Sequence, residues 1–234
     1  MTVKALFFDV FGTLVDWRSG VAREAEAHLA PRGYALDWLA FADAWRAEYE
    51  PSMAEVRSGS KPFAKLDILH RRSLDRILPR FGVGEVPEDV LQSLNLAWHR
   101  LDVWPDVPEG FDRLARRFLL APVSNGNISL MVDLARRNRL HYDAILGAEI
   151  AGDYKPKPRV YLAAAEAFDL APGECMMVFA ASHYPADGAA GVGMCCGSVA
   201  RPDEFGPGKA ASVPSGPVDV AARDLIELAE KLGA

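Results

Sequence analysis

Polar side chains that can do chemistry recur in this sequence where apolar runs end. They supply a carboxylate, a hydroxyl with an amide, an amine and a second carboxylate: Asp9, Ser124 with Asn125, Lys155, and Asp187. A carboxylate can act as a nucleophile or a general base, and a nearby amine keeps it ionised. In open α/β sheets such groups meet just past the carboxyl ends of the strands. We therefore predict a cleft at that edge, with Asp9 at its rim.

Each of these residues alone is also compatible with an ordinary structural role. Asp9 suits the cap of a turn or helix, and Ser124-Asn125-Gly126 is a common turn sequence. Lys155 fits an exposed lysine equally well. Four such positions in this order, on a repeated strand and helix pattern, are a more specific signal than any one of them.

The elements that must position these residues alternate between strand and helix. The predicted strands are short apolar runs bounded by turn residues: 5–8, 118–123, 144–148, 175–179 and 193–198. This alternation predicts an α/β fold with a doubly wound parallel sheet. After the last strand we expect a surface loop at 201–216, which is rich in Pro, Gly and Ser, and a terminal helix at 221–232.

A long helical stretch separates the first two strands. Phe41, Trp45 and Tyr49 recur at helical spacing, and no strand pattern interrupts residues 21–101. We therefore expect an all-helical unit at 16–101, inserted after the first strand of a core formed by 1–15 and 102–234.

Composition limits the class of protein. The net charge of −6, without a Lys/Arg block, argues against a nucleic-acid partner. The sequence shows no charged-then-apolar leader and no apolar run of roughly 18 residues, so we expect a soluble, cytoplasmic protein without a membrane partner. Cys175, Cys195 and Cys196 do not form a disulfide framework. We expect buried thiols there rather than reactive ones or a metal pair.

The sequence resembles the haloacid dehalogenase superfamily and, within it, the type II 2-haloacid dehalogenases. The motifs that carry this resemblance lie along nearly the whole chain: Phe8-Asp-Val-Phe-Gly-Thr-Leu14, Trp45-Arg46, Pro122-Val-Ser-Asn-Gly-Asn127, Tyr154-Lys-Pro-Lys-Pro-Arg-Val-Tyr161, Phe179-Ala-Ala-Ser-His183 leading to Asp187, and Arg201-Pro-Asp-Glu-Phe-Gly-Pro207. The resemblance implies a Rossmann-like core, with 16–101 as the family's cap domain. Dimers are common in this group, but the sequence gives no signal of its own for a homodimer.

The residues around Asp9 favour dehalogenation over phosphoryl transfer. Phosphatases of this superfamily need an acid two residues after the nucleophile and Mg²⁺ held by acids after the fourth strand, because a cation must offset the phosphate charge. Here those positions hold Phe11 and the pair Ala180-Ala181. We therefore expect no metal and no cofactor. A carboxylate that attacks carbon and expels a halide needs neither.

The resemblance implies a hydrolysis of small 2-haloalkanoic acids to 2-hydroxy acids. Asp9 would attack the α-carbon and form an ester, which water then cleaves at the Asp9 carbonyl; the family expectation is the (S) isomer, with inversion. Thr13 would steady Asp9, and Lys155 would orient it. Asp187 would position the water, with Ser182 or His183. His183 lies four residues before Asp187 instead of the usual three, so an exposed loop histidine is the alternative.

The resemblance also implies a set of substrate-binding residues. Arg46 and Asn125 would hold the halide, and Ser124 would hold the substrate carboxylate. Phe11 would form an apolar wall, and Tyr161 would support the site. The alternatives are a surface arginine at 46 and core aromatic residues at 11 and 161.

Two other functions stay open at this point. One is a phosphatase, or another small-molecule hydrolase of the superfamily, that takes its acid from elsewhere in the chain. The other is a non-catalytic relative that binds a small acid or a protein partner.

Overall fold

A six-stranded parallel sheet runs through the centre of the protein. The computed structural model describes residues 3–183, 187–216 and 218–234, with only the backbone at Asp187. The strands are β1 Ala5–Phe8, β2 Leu119–Ser124, β3 Leu146–Gly147, β4 Cys175–Ala180, β5 Cys195–Val199 and β6 Val220–Ala222. Their order is β3-β2-β1-β4-β5-β6, and every pairing is parallel. The predicted α/β fold with a parallel, Rossmann-like sheet is confirmed.

Strand β1 carries only apolar side chains, is buried on both faces and pairs with a strand on each edge. Leu6 and Phe8 pack into one hydrophobic cluster, and Ala5 and Phe7 into another. The alternation follows from the two-residue period of a strand. Such a strand is stable only where helices cover both faces of the sheet.

Helices surround the sheet and fill the interval between β1 and β2. The α-helices of the described chain are α1 Trp17–Leu29, α2 Trp38–Ala47, α3 Tyr49–Arg57, α4 Leu66–Ile77, α5 Glu88–Asn95, α6 Val107–Leu114, α7 Ile128–Asn138, α8 Ala148–Ala151, α9 Pro158–Glu166, α10 Asp187–Gly191 and α11 Leu225–Leu232. Short 3-10 turns occur at Ala30–Arg32, Leu78–Phe81, Leu96–His99, Pro172–Glu174 and Ala181–His183. Among the described residues, no helix is both long and apolar enough to cross a bilayer.

The interval between β1 and β2 is helical, as the periodicity predicts. Its residues form helices and two isolated β-bridges, with no extended strand in this fully described stretch. Large aromatic side chains, among them Trp17, Trp45 and Trp98, are at most 1% exposed and join it to the main hydrophobic cluster. The division into domains at 16–101 stays a prediction.

Two element predictions near the edges of the sheet, one of a helix and one of a strand, were wrong in detail. The helix expected at 221–232 begins only at Leu225, because the preceding residues form β6 and pair with β5. Asp224 caps this helix by accepting a hydrogen bond from the Glu227 N–H at 2.8 Å. The third strand is two residues long rather than five, and α8 follows it directly.

The expected surface loop at 201–216 is partly wrong. Its described residues form neither helix nor strand, but Arg201 is 6% exposed and Glu204 is 0% exposed. The guanidinium of Arg201 donates to the Thr13 carbonyl at 2.8 Å and to both oxygens of Asp106 at 2.9 Å. These contacts anchor the loop against the chain that follows β1.

The three cysteine side chains are buried, as predicted. Cys175 begins β4, while Cys195 and Cys196 begin β5. Burial raises the pKa of the Cys175 and Cys196 thiols to about 11. The thiolate is the reactive form of cysteine, so these residues act as small apolar core side chains.

Candidate active site

Asp9 directly follows the central strand and borders two cavities. Its backbone N–H donates to the Val178 carbonyl of β4 at 2.9 Å, which fixes the residue at the carboxyl edge of the sheet. The cavities measure about 280 and 400 Å³ and share Asp9, Glu50, Asn125 and His183. They are large enough for a small organic acid. Asp9 therefore lies beside open space at the carboxyl end of its strand, as expected for an open α/β sheet.

Three side chains hold the Asp9 carboxylate. The Lys155 ammonium donates to Oδ1 at 2.7 Å, and the Thr13 hydroxyl donates to Oδ2 at 2.8 Å. The His183 imidazole meets Oδ2 through Nδ1 at 3.0 Å. The Ala180 N–H in turn donates to the Thr13 oxygen at 2.8 Å. The structure thus brings Asp9, Thr13, Lys155 and His183 together.

The charge of Asp9 is set by these neighbours. Burial acts to raise the pKa of the carboxyl group, but Lys155 and His183 outweigh it and hold that pKa well below its usual range. The backbone of Lys155 is fixed as well, because its N–H donates to Asn125 Oδ1 at 2.8 Å and its carbonyl accepts from Arg57 at 3.0 Å. The result is an ionised carboxylate in a fixed position.

His183 connects Asp9 to a second buried carboxylate, Glu204. Its Nε2 lies 2.6 Å from Glu204 Oε1, and the ring is partly buried with 20% of the side chain exposed. Burial acts to lower the pKa of His183, but Asp9 and Glu204 outweigh it and raise that pKa to about 9. His183 is therefore a charged member of the site. The alternative of an exposed loop histidine does not hold.

Glu204 is a site residue that sequence reasoning did not single out. Its oxygens also accept from the Ser182 hydroxyl at 2.6 Å and from the Trp17 indole at 3.2 Å. Ser182 therefore contacts Glu204, and not the Asp9 carboxylate. Glu204 lies five residues beyond the end of β5, so it lacks the position directly after a strand that marks Asp9. Its loop is rich in Pro and Gly, a composition that predicts a surface position.

Gly12 leaves space for the side chains of Glu204 and His183. Its φ of +84° favours glycine, and an added Cβ would lie 2.1 Å from Glu204 Oε1 and 2.9 Å from His183 Cε1. Any larger residue would push the carboxylate or the imidazole away from Asp9. The Phe-Gly-Thr turn after β1 thus shapes the site with its backbone.

Arg46 lies in the larger cavity rather than on the surface. Its guanidinium stacks 3.9 Å from the centre of the Tyr49 ring and lies 5.5 Å from the Trp17 ring. Its buried Nη1 has no hydrogen-bond partner among the described residues. A guanidinium is always charged, so this nitrogen is an unused cationic donor on a residue that lines the same cavity as Asp9.

Phe11 and Asn125 line the same cavity. Phe11 is 2% exposed and packs edge-on against Trp98 at 5.6 Å and Tyr49 at 6.3 Å, so it is at once a core residue and a cavity wall. Asn125 is 7% exposed, and the Lys155 N–H fixes the orientation of its amide. Tyr49 was not predicted as a site residue, although it stands three positions after Arg46.

The remaining predicted residues differ in placement. Ser124 is 0% exposed, its hydroxyl accepts from the Gly126 N–H at 3.0 Å, and it lines neither cavity. Tyr161 lines the smaller cavity. Asp187 begins α10, and its side chain lies outside the described residues. Within the described part of the chain, no three His, Cys, Asp or Glu side chains are grouped as metal ligands.

A family model for haloacid dehalogenase-like hydrolases matches residues 3–178. The chain belongs to this family. This hydrolase is 30% identical over 180 residues to (S)-2-haloacid dehalogenase 1 of Pseudomonas sp. (strain CBS-3), a match that covers 75% of each chain.

Two solved structures are similar over almost the whole of this hydrolase. The defluorinating L-2-haloacid dehalogenase Rha0230 is 39% identical with a TM-score of 0.95, over 99% of this chain and 96% of that one. The L-2-haloacid dehalogenase PA0810 is 40% identical with a TM-score of 0.93, over 99% of both chains. The fold and the helical segment are thus shared with these two enzymes.

Proposed function

We propose that this hydrolase is a metal-independent (S)-2-haloacid dehalogenase that converts small 2-haloalkanoic acids into 2-hydroxy acids. The observation that carries the proposal is the Asp9 carboxylate itself. Its oxygens are held by Lys155, His183 and Thr13, and it faces a cavity with an apolar wall at Phe11. An ionised carboxylate that is only partly hydrated is suited to attack carbon.

The first half-reaction is a displacement at the α-carbon of the substrate. A carboxylate oxygen of Asp9 forms a bond to that carbon, the carbon–halogen bond breaks, and the halide leaves with the bonding electron pair. The product on the enzyme is an ester of Asp9, in which the Asp9 charge is lost while the substrate carboxylate keeps its own. Arg46 supplies the positive charge for the departing halide, with the Asn125 amide beside it.

The second half-reaction returns the enzyme to its starting state. Water adds to the Asp9 carbonyl carbon, and the bond from that carbon to the substrate oxygen breaks. The 2-hydroxy acid leaves, the Asp9 carboxylate is restored, and one proton is released at neutral pH. The oxygen of the attacking water stays on Asp9. Tyr161 supports the cavity from α9, Ser124 fixes the turn that contains Asn125, and Asp187 positions the water.

A halide-release assay tests the proposal. Wild-type enzyme should release halide from chloroacetate and from (S)-2-chloropropionate, but not from the (R) isomer, and a metal chelator should not change the rate. Fluoroacetate belongs in the panel because the similar enzyme Rha0230 is named as defluorinating. Asp9→Asn should abolish halide release, while Asp112→Asn, at an exposed position, should keep it.

Two outcomes would contradict the proposal. One is Mg²⁺-dependent hydrolysis of p-nitrophenyl phosphate without halide release, which would indicate a phosphatase. The other is no turnover of either substrate, which would indicate a binding protein. Turnover in heavy-oxygen water gives independent support, since mass spectrometry should find the label in the peptide that contains Asp9.

We also propose a cytoplasmic location and a small-molecule partner. A homodimer is expected only because dimers are common in the family. The acidic net charge of −6 supports a protein that does not bind nucleic acid. Light scattering during size-exclusion chromatography decides between monomer and dimer.

A further inference from the structure

A buried asparagine outside both cavities joins the turn after β2 to the helical segment. Asn127 stands at the start of α7, two residues after Asn125, and is 1% exposed. An asparagine at this position usually accepts a hydrogen bond from the first turn of its own helix, but in the fully described α7 it does not. Its amide instead donates to Asp67 Oδ2 at 2.9 Å and accepts from the Asp67 N–H at 3.3 Å. Both ends of this amide therefore contact one residue of α4.

A buried histidine holds the other oxygen of Asp67. His99 is 6% exposed, and its Nε2 lies 3.1 Å from Asp67 Oδ1, while its Nδ1 lies 2.8 Å from Asp133 Oδ2 of α7. Only a charged imidazole donates from both nitrogens, so two carboxylates on one ring favour the charged form. Burial acts to lower the pKa of His99, but Asp67 and Asp133 outweigh it and raise that pKa above its usual value.

The other polar groups around His99 leave its charge to these two carboxylates. His70 of α4 is neutral, because burial lowers its pKa to about 3. Arg100, the next residue in the chain, pairs with Glu24 of α1 at 2.6 Å. Helix α5, which leads into the turn that carries His99, ends at the neutral Asn95.

We propose that Asp67 and His99 form a clamp that positions the Asn125 turn for departure of the halide. The clamp is the bonded series Asp133, His99, Asp67 and Asn127. The inference rests on the proposed function, in which the Asn125 amide lies beside the leaving halide. Asp67 and His99 are positioning residues, because they line neither cavity and act through Asn127.

The Asn125 amide is held at three points. The Lys155 N–H donates to its Oδ1 at 2.8 Å, so Nδ2 is the end that can donate to a halide. The Ser124 hydroxyl closes the turn on the strand side, and Asp67 fixes Asn127 on the helix side. Release of Asn127 from Asp67 loosens the helix side of the turn. A donor that is aligned with the leaving group then loses its alignment, and with it part of its effect on the rate.

The leaving group of the substrate provides the test. Chloride is a poorer leaving group than bromide, so its departure depends more on aligned donors. His99→Gln and Asp67→Asn should each lower kcat/KM about 10-fold for (S)-2-chloropropionate and no more than about threefold for (S)-2-bromopropionate. Asp75→Asn, at an exposed position of α4, and His141→Gln, at an exposed histidine, are the matched controls and should keep the wild-type ratio of the two values.

This ratio distinguishes positioning from a loss of stability. A smaller folded fraction lowers both kcat/KM values equally and leaves their ratio unchanged. Ester hydrolysis does not enter the ratio, because kcat/KM reports only the steps up to the loss of halide. In the wild type, the preference for the bromo substrate should grow as the pH rises through the pKa of His99, since the neutral ring has one donor instead of two. In His99→Gln the preference should not change over that range.

The inference is overturned if His99→Gln and Asp67→Asn both keep the wild-type ratio. If these variants do not fold, Asp133→Asn removes the α7 partner of His99 at a position where 56% of the side chain is exposed. Its preference for the bromo substrate should also exceed that of the wild type, and an unchanged ratio there overturns the inference equally. Failure of the proposed function looks different, because the wild-type enzyme would then release neither halide.

Discussion

Lys155 and His183 contact different oxygens of the Asp9 carboxylate, at 2.7 and 3.0 Å. Burial alone would favour the protonated acid, which is not a nucleophile. The two cations reverse that preference, so the charge of Asp9 comes from its neighbours rather than from solvent. The same contacts lower the nucleophilicity of the Asp9 carboxylate, since each withdraws electron density from its oxygens. A substitution that removes one of these contacts should therefore change the pH dependence of the reaction.

At this scale we predict that Lys155→Met raises the pKa of Asp9. Because Asp9 reacts as the carboxylate, the acid limb of kcat/KM for halide release should move to higher pH by about one unit or more. Lys157→Met removes an exposed lysine from the same loop and should leave the profile unchanged. An acid limb at the wild-type position in Lys155→Met would show that Lys155 does not control the charge of Asp9.

Single residues also show what the sequence could predict of the site. Asp9 and Lys155 could be found because each stands at a break between regular elements, and the sheet topology brings such breaks together. Glu204 could not, because its loop has no periodicity and its surroundings include Gly12 and Trp17, which are distant in sequence. Arg46 was predicted by resemblance, but its stacking on Tyr49 required the packed helices.

Among the elements, the loop after β5 depends on one buried ion pair. Arg201 donates to both oxygens of Asp106 at 2.9 Å and to the Thr13 carbonyl at 2.8 Å. Asp106 also accepts the Leu225 N–H at 2.8 Å, at the start of α11. One guanidinium therefore joins the turn after β1, the residue before α6, the start of α11 and the loop that carries Glu204.

We predict that Arg201→Met destabilises the protein by about 3–5 kcal/mol, because it leaves Asp106 buried without its cation. Urea unfolding measures the free energy of unfolding, and adding Asp106→Asn should recover part of the loss. Arg223→Met breaks an exposed pair with Glu227 and should cost no more than about 1 kcal/mol. A loss no larger than that in Arg201→Met would contradict the anchoring role.

Element boundaries were predictable where the pattern was long and strongly apolar. Strands β1 and β4 were expected within one residue of their ends, since each is a run of buried side chains. Strand β6 was missed because it has three residues, only one of them buried, and merges with the helical pattern that follows. Such a short strand exists only because β5 offers an edge to pair with.

In the whole molecule, the site forms where the helical segment meets the sheet. The Tyr154 hydroxyl donates to the Ala64 carbonyl at 2.6 Å, and the Asn127 amide donates to Asp67 at 2.9 Å. These bonds join residues of the sheet loops to residues near the start of α4. The cavity between them combines Asp9 from one part with Arg46 from the other, so global folding and site geometry are coupled.

The raised pKa of His183 in the folded protein predicts that the free energy of unfolding depends on pH. The folded-state pKa of His183 is raised from 6.5 to about 9, so proton binding favours the folded protein. Its contribution, about 3 kcal/mol, is fully present below pH 6.5 and is lost as the pH rises through about 9. Urea unfolding of wild type and His183→Gln across this range should therefore give a difference in unfolding free energy that shrinks as pH rises. A difference independent of pH would mean that His183 is neutral in the resting enzyme.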